Sequence, residues 1–208
     1  MQSYYQASRN FEIDQPALNG DHEADVCIIG GGYTGLSSAL YLANEGVKVL
    51  LIESNKIASG ASGANGGQVS GGMRRDQFYL EKALGFQKAK ALWSIGEGAK
   101  YHAKDLIDKY QIQCDYKKGI AHPNHKQKYC EESKRYVDHM INKYDYKDMV
   151  YLSDNEMREV TGSDTYYGGS FDEGEAHCDP PPGGLGFTLG KLSSCRQIHG
   201  FCLPFCGE

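Results

Sequence analysis

Val26-Cys27-Ile28-Ile29-Gly30-Gly31-Gly32-Tyr33-Thr34-Gly35 is the stretch that decides the fold. Four apolar residues running straight into glycine suit a strand buried on both faces better than an amphipathic one. The glycines occupy the first, third and sixth positions of the dinucleotide-binding fingerprint, after a strand and at the start of a helix. Each has a mechanical duty. Gly30 permits the tight turn, Gly32 lets the backbone approach a pyrophosphate with no Cβ in the way, and Gly35 lets the helix pack close to the strand. Tyr33 and Thr34 lie between them at the helix N-terminus, whose N–H groups face phosphate charge.

Downstream, Leu36, Ala39, Leu40 and Ala43 recur at three-and-four spacing to about Glu45, with Gly46 just beyond as a stop. Lys48 to Glu53 reads as a second buried strand. Strand, glycine turn, helix and strand within about thirty residues make a βαβ unit, whose right-handed crossover gives a parallel pair. This is the opening of a doubly wound, Rossmann-like α/β sheet. Glu53 ends the second strand eighteen positions after Gly35, close to the roughly twenty expected of the acid that accepts hydrogen bonds from an adenosine ribose. Its carboxylate would repel a 2′-phosphate, which argues against NADP.

The fingerprint alone does not separate FAD from NAD, since both carry an ADP moiety. The loop Ser59-Gly60-Ala61-Ser62-Gly63-Ala64-Asn65-Gly66-Gly67-Gln68 bears on that choice. Such small residues let main-chain N–H groups converge on phosphate and flavin atoms. A plain surface linker is the bland alternative, and an NAD-dependent dehydrogenase leaves this loop unexplained. The candidate cofactor-binding residues are Gly30, Gly32, Tyr33, Thr34, Gly35, Glu53, Ser54, Ser62, Asn65, Gly66, Gly67 and Gln68.

Farther along, Leu92, Ile95, Ala99, Ala103, Leu106 and Tyr110 mark one face of a long helix. Cys114 to Ala121 reads as a short strand and turn. A helix is expected over Gln127–Tyr144 with Cys130, Val137, Ile141 and Tyr144 inward, and Ser153 with Glu156 makes a capping box for another. These elements suit an inserted α+β substrate or cap domain, of which the chain holds the start. The expected organisation is an arm over 1–23, an FAD-binding βαβ segment over 24–85, a cap segment over 86–177 and an unrelated tail over 178–208.

The chain of 208 residues has a formal net charge of -5. It offers no basic surface of the kind that neutralises phosphates, so nucleic acid is not an expected partner. Residues 1–19 lack a signal-peptide core and no apolar run approaches a membrane span, so the expected location is the cytoplasm. Seven cysteines, an odd number, fit reduced thiols better than a disulfide framework. Of the seven histidines, His102 and His122 read as surface residues rather than proton shuttles. No catalytic residue is assigned.

The run Asp25–Ala43, the acid Glu53 and the loop Gly60–Gln68 resemble the D-amino-acid-oxidase-type FAD-dependent oxidoreductases. The likeness continues through Ala91-Leu92-Trp93, Cys114-Asp115-Tyr116 with Gly119, and Gly168-Gly169-Ser170-Phe171-Asp172, covering about residues 24 to 174. It departs at Ala64, where an arginine is common. The resemblance implies non-covalent FAD and oxidation of a small-molecule amine of the gamma-glutamylputrescine kind, as in putrescine catabolism, with oxygen as acceptor and hydrogen peroxide as product. The cofactor then performs the difficult step while the protein positions it. Members of the family are longer. A truncated fragment that at most binds FAD is therefore the alternative, with a separately encoded C-terminal half as a partner.

The stretch Cys178–Glu208 carries four cysteines, three consecutive prolines and four charged residues, without helical or strand period. A reading-frame slip near His177 would produce such a tail, whose expected state is disordered. Cys195, His199, Cys202 and Cys206 could supply four zinc ligands, but their spacing lacks the usual paired C-x-x-C, so no metal is expected.

Overall fold

The computed structural model describes residues 17–112 and 114–178, together with the backbone of 198–202. The chain divides into two compact units: residues 1–67, 106–115 and 179–208 form the first, and residues 68–105 and 116–178 the second. The last turns of the long helix, residues 106–110, thus fall in the first unit.

The first unit holds β1 (Val26–Ile29), α1 (Tyr33–Asn44) and β2 (Val49–Glu53). β1 and β2 run parallel in register from Val26 opposite Val49 to Ile29 opposite Ile52. Leu36, Ala39, Leu40 and Ala43 are the buried stripe of α1. They pack with Val49, Leu51 and Ala58, and with the partly buried Leu106 and Tyr110. That contact is why the 106–115 segment belongs here, and the Asn44 side-chain amide donates to the Tyr110 hydroxyl at 3.0 Å. Each fully buried leucine contributes about 1.5–3 kcal/mol.

Two expectations are corrected in this unit. β1 is not buried on both faces: its residues alternate between half-buried and exposed, and Ile29 is 83% exposed. One face lies on the α1 core, while the other has no apolar cover among the described residues. The second correction concerns the C-terminal stretch. Ile198–Cys202 is a strand, and its backbone pairs parallel with β2 from Val49 opposite Ile198 to Glu53 opposite Cys202. The stretch therefore contains ordered strand where no period is legible in sequence. Residues 1–16 of the expected arm over 1–23, residues 179–197 and residues 203–208, which include Cys195 and Cys206, lie outside the described residues.

The second unit is an antiparallel sheet with helices. Its strands are β3 (Gln68–Val69), β4 (Lys117–Pro123), β5 (Met149–Leu152) and β6 (Gly169–His177), with β3, β4 and β5 all pairing with β6. Its helices are α2 (Gln77–Leu84), α3 (Phe86–Tyr110, through residue 105), α4 (Cys130–Tyr144) and α5 (Asp154–Thr161). α4 begins three residues later than expected, after a 3-10 turn, and buries Cys130, Val137, Met140 and Tyr144. The α5 capping box is present in both halves: Ser153 Oγ accepts from Glu156 N, and the Glu156 carboxylate accepts from Ser153 N at 2.7 Å. α3 departs from its expected face at Ile95 and Ala99, which are exposed, while Leu92, Ala103, Leu106 and Tyr110 of that face are half-buried. Ala89, Gly96 and Lys100 are buried, while Ile95 is 62% exposed. Gly96 wins the inward position because a side chain there would collide with the Gly72 backbone.

Lys100 is the buried cation that results. Its Nζ lies 2.8 Å from Glu97 Oε2 and donates to the Tyr146 hydroxyl at 3.1 Å; Tyr146 in turn donates to Asp172 Oδ1 at 2.6 Å. Glu97 Oε1 and Asp172 Oδ2 are buried without partners among the described residues. Burial pushes both carboxyls up from their ordinary range, against the opposing pull of Lys100. No helix among the described residues is long and apolar enough to cross a membrane.

Candidate cofactor-binding site

The site is built where β1 turns into α1. Gly30 takes φ +107, open to glycine and costly for other residues, and its N–H donates to Ile52 O at 2.7 Å. A Cβ at Gly35 would overlap the Gly30 carbonyl and come 3.3 Å from Ile28, so the close approach of helix and strand requires glycine there. Gly32 is the N-cap of α1 and lends no side chain, and the first turn holds no acidic residue. That end of the helix keeps the positive pole that favours an anion. Thr34 is exposed beside it.

The second loop closes over the first. Ser62 Oγ accepts from Tyr33 N at 3.0 Å, and a Cβ on Gly32 would come within 3.0 Å of that same oxygen. Asn65 organises the loop: its amide donates to Ser62 O at 2.9 Å and reaches Ala61 O and the Tyr33 hydroxyl, while its Oδ1 accepts from Gly67 N at 2.9 Å. Gly66 is exposed between them, and buried Gly67 takes φ +74. Gln68 falls in the second unit, as the first residue of β3.

Glu53 is the electrostatic centre of the turn. Its Oε2 accepts from Gly31 N at 2.7 Å, and its Oε1 accepts from Asn55 N at 2.9 Å and from Ser54 Oγ at 3.3 Å. Partial burial pushes the carboxyl up, but the bonds from Gly31, Asn55 and Ser54 outweigh it and hold the group below the ordinary carboxylate value. The acid at this site is therefore ionised and fixed in orientation.

Two residues of this arrangement escape sequence reasoning. Gly31 binds Glu53, and a Cβ there would come 3.1 Å from Ile57; the fingerprint leaves this middle position unconstrained. Ala58 donates its N–H to Gly31 O at 3.0 Å from a left-handed backbone, φ +57, which alanine rarely adopts and which no propensity foretells. Elsewhere, His122 is half exposed as expected, yet its Nε2 lies 3.0 Å from Glu175 Oε2.

A glycine turn between parallel strands, an uncapped helix N-terminus and a fixed acid at the end of the second strand together define an α/β domain of the dinucleotide-binding class. The family described as DAO, FAD dependent oxidoreductase, matches residues 25–182, and the chain belongs to that family. It is 34% identical to the probable oxidoreductase OrdL of Haemophilus influenzae over 95% of this chain and 45% of that protein. It is 36% identical to the gamma-glutamylputrescine oxidoreductase of Escherichia coli over 95% of this chain and 45% of that protein. The chain thus spans about half the length of these curated relatives. Alignment over 95% of the chain leaves fewer residues unmatched than the tail contains, so the likeness does not end at Cys178.

Among solved structures, the fold resembles glycine oxidase from Bacillus cereus, with a TM-score of 0.59 and 23% identity over 86% of this chain and 47% of that one. It also resembles an L-amino acid deaminase from Proteus myxofaciens, with a TM-score of 0.67 and 17% identity over 94% of this chain and 41% of that one. At these identities the likeness is one of fold.

Proposed function

We propose that the first unit holds FAD non-covalently and that the protein oxidises a small amine of the gamma-glutamylputrescine kind. The observation that carries the reading is the joining of Glu53 to the glycine turn: a fixed, ionised acid 2.7 Å from Gly31 N beside a helix end without a capping side chain. Gly30, Gly32, Tyr33, Thr34 and Gly35 would surround the pyrophosphate, Glu53 would take the adenosine ribose hydroxyls, and Ser54, Ser62 and Asn65 to Gly67 would line the remainder. The residues fit such a group: a Cβ at Gly31, Gly32 or Gly35 would meet Ile57, Ser62 or the Gly30 carbonyl, Gly30 takes a positive φ, and the helix dipole opposes the phosphate charge. When bound, the flavin supplies an acceptor for hydride from the carbon beside the amine nitrogen and passes the electrons to oxygen, giving hydrogen peroxide.

The chain's own residues do the binding and orienting. Ser62, by accepting from Tyr33 N, holds the second loop against the helix start, and Asn65 sets the loop shape by bonding both its ends. The name of the Escherichia coli relative supports the amine class. The purified chain is mixed with FAD, desalted, and read by visible absorption. Retained flavin bands that bleach on anaerobic addition of gamma-glutamylputrescine support the reading in full. Retention without bleaching removes the amine, and no retention removes the cofactor assignment for this chain.

A further inference from the structure

The second unit contains a cavity of about 290 Å³, one wall of which differs from the rest. Trp93, His122, Tyr136, Met149 and Glu175 line it from α3, α4 and the sheet, while residues 71–73 and 75–77 line it from the segment leading into α2. Met73, Arg75 and Asp76 are exposed even as they line the cavity, so this wall is a strap of chain with solvent beside it.

α2 carries the far end of the strap. Gln77 and Leu80 are its buried side chains, whereas Tyr79 is 52% and Leu84 44% exposed. A helix this short with so little apolar burial belongs to the low-stability end of a fold. What ties it down is largely polar. Glu81 Oε1 lies 2.7 Å from His139 Nε2 and accepts from the Tyr144 hydroxyl at 2.7 Å, both residues of α4. Gln77 Nε2 donates to Ala89 O at 3.1 Å, and the Phe78 ring lies 4.8 Å from the His139 ring. Partial burial pushes the Glu81 carboxyl up, but the bonds from His139 and Tyr144 outweigh it and hold the group below its ordinary value. The tie is therefore charge-assisted, the stronger kind of hydrogen bond.

Glycine in the left-handed region stands at both ends of this segment. Gly72, φ +71, is wedged against the Trp93 ring and the Gly96 backbone; Gly85, φ +80, directly follows α2, and a Cβ there would meet no neighbouring atom within 4 Å. One end is thus a pinned pivot and the other a free one, at positions whose residue tolerates large backbone rotation. We propose that residues 73–84 form a strap that opens and closes the cavity about Gly72 and Gly85, with Glu81 as the latch that α4 holds. The strap belongs to the second unit alone and works whether or not the first unit retains flavin.

Trp93 is the only tryptophan in the chain, so its quenching by acrylamide reports access to the cavity, while amide hydrogen exchange reports the strap itself. Both are read on the full chain without added flavin. In the parent, the α2 amides should exchange by local opening, about tenfold or more faster than those of β6 after correction for intrinsic rates. Glu81→Gln removes the charge of the latch and keeps an oxygen for the Tyr144 hydroxyl. It should speed α2 exchange a further tenfold or so, leave β6 unchanged and raise the quenching of Trp93. Protection of α2 equal to that of β6 in the parent overturns the proposal without any variant. So does a folded Glu81→Gln in which α2 exchange is not accelerated, in which α2 and β6 accelerate together, or in which Trp93 quenching stays at the parent value. If Glu81→Gln fails to fold, Tyr144→Phe, which removes one of the two bonds to the latch, is read by the same outcomes.

Discussion

Glu53 shows how much one residue's role depends on its hydrogen bonds. The Gly31, Asn55 and Ser54 donors keep its folded-state pKa below the ordinary 4.5. The stability it contributes is fully present above 4.5 and is lost as pH falls through the lowered value. Glu53→Gln should therefore lower stability at neutral pH and flatten its decline in acid, measured as urea midpoints across the acid range. A variant with the same acid slope as the parent would refute this. Gly35→Ala forces a Cβ into the Gly30 carbonyl, with no flexible side chain to yield. It should cost about 1–3 kcal/mol or more, as overpacking does, and lower FAD retention in the same preparation. Both effects belong to the residue scale because each acts on a contact within one turn.

At the scale of elements, α3 shows a face chosen by its neighbours. Apolar spacing favours Ile95 and Ala99, but the helix turns Ala89, Gly96 and Lys100 inward because only glycine at 96 admits the Gly72 backbone. This departure buries a lysine, which then requires Glu97, Tyr146 and Asp172 around it. Lys100→Met leaves Glu97 with a second unpaired oxygen in a site that already has one. Breaking such a buried pair costs about 3–5 kcal/mol, whereas replacing both partners by apolar residues is often neutral. Chemical denaturation should accordingly find Lys100→Met strongly destabilised and the double variant with Glu97→Leu largely recovered. Equal losses in the two would show that the pair itself stabilises the fold.

For the whole molecule, each unit carries its own buried cluster: Leu36, Leu40, Val49 and Leu51 in the first, and Val137, Met140, Tyr144 and Met149 in the second. A ligand of one unit stabilises that unit by mass action, about 2.7 kcal/mol at a hundredfold excess over Kd. Scanning calorimetry with FAD should therefore shift the melting of the first unit and leave that of the second in place. A shift of the whole endotherm together would mean that the two melt as one.

The βαβ opening was legible in sequence because its signals are local. Four apolar residues, three spaced glycines and an acid at the end of the next strand state the turn, the helix and the strand without reference to anything distant. The capping box of α5 was legible for the same reason. The antiparallel sheet around β6 was largely hidden, since its register joins residues such as Gln68 and His177 that no spacing relates. The strand Ile198–Cys202 was hidden too, because its order comes from pairing with β2 rather than from its own pattern. The sequence by itself determined the family and the positions of the glycine turn and Glu53, for these depend on backbone constraints at single residues. Tertiary structure alone decided which donors fix Glu53, which face of α3 is buried and that Glu175 meets His122 beside Trp93, since each arises from chain segments that meet only after folding.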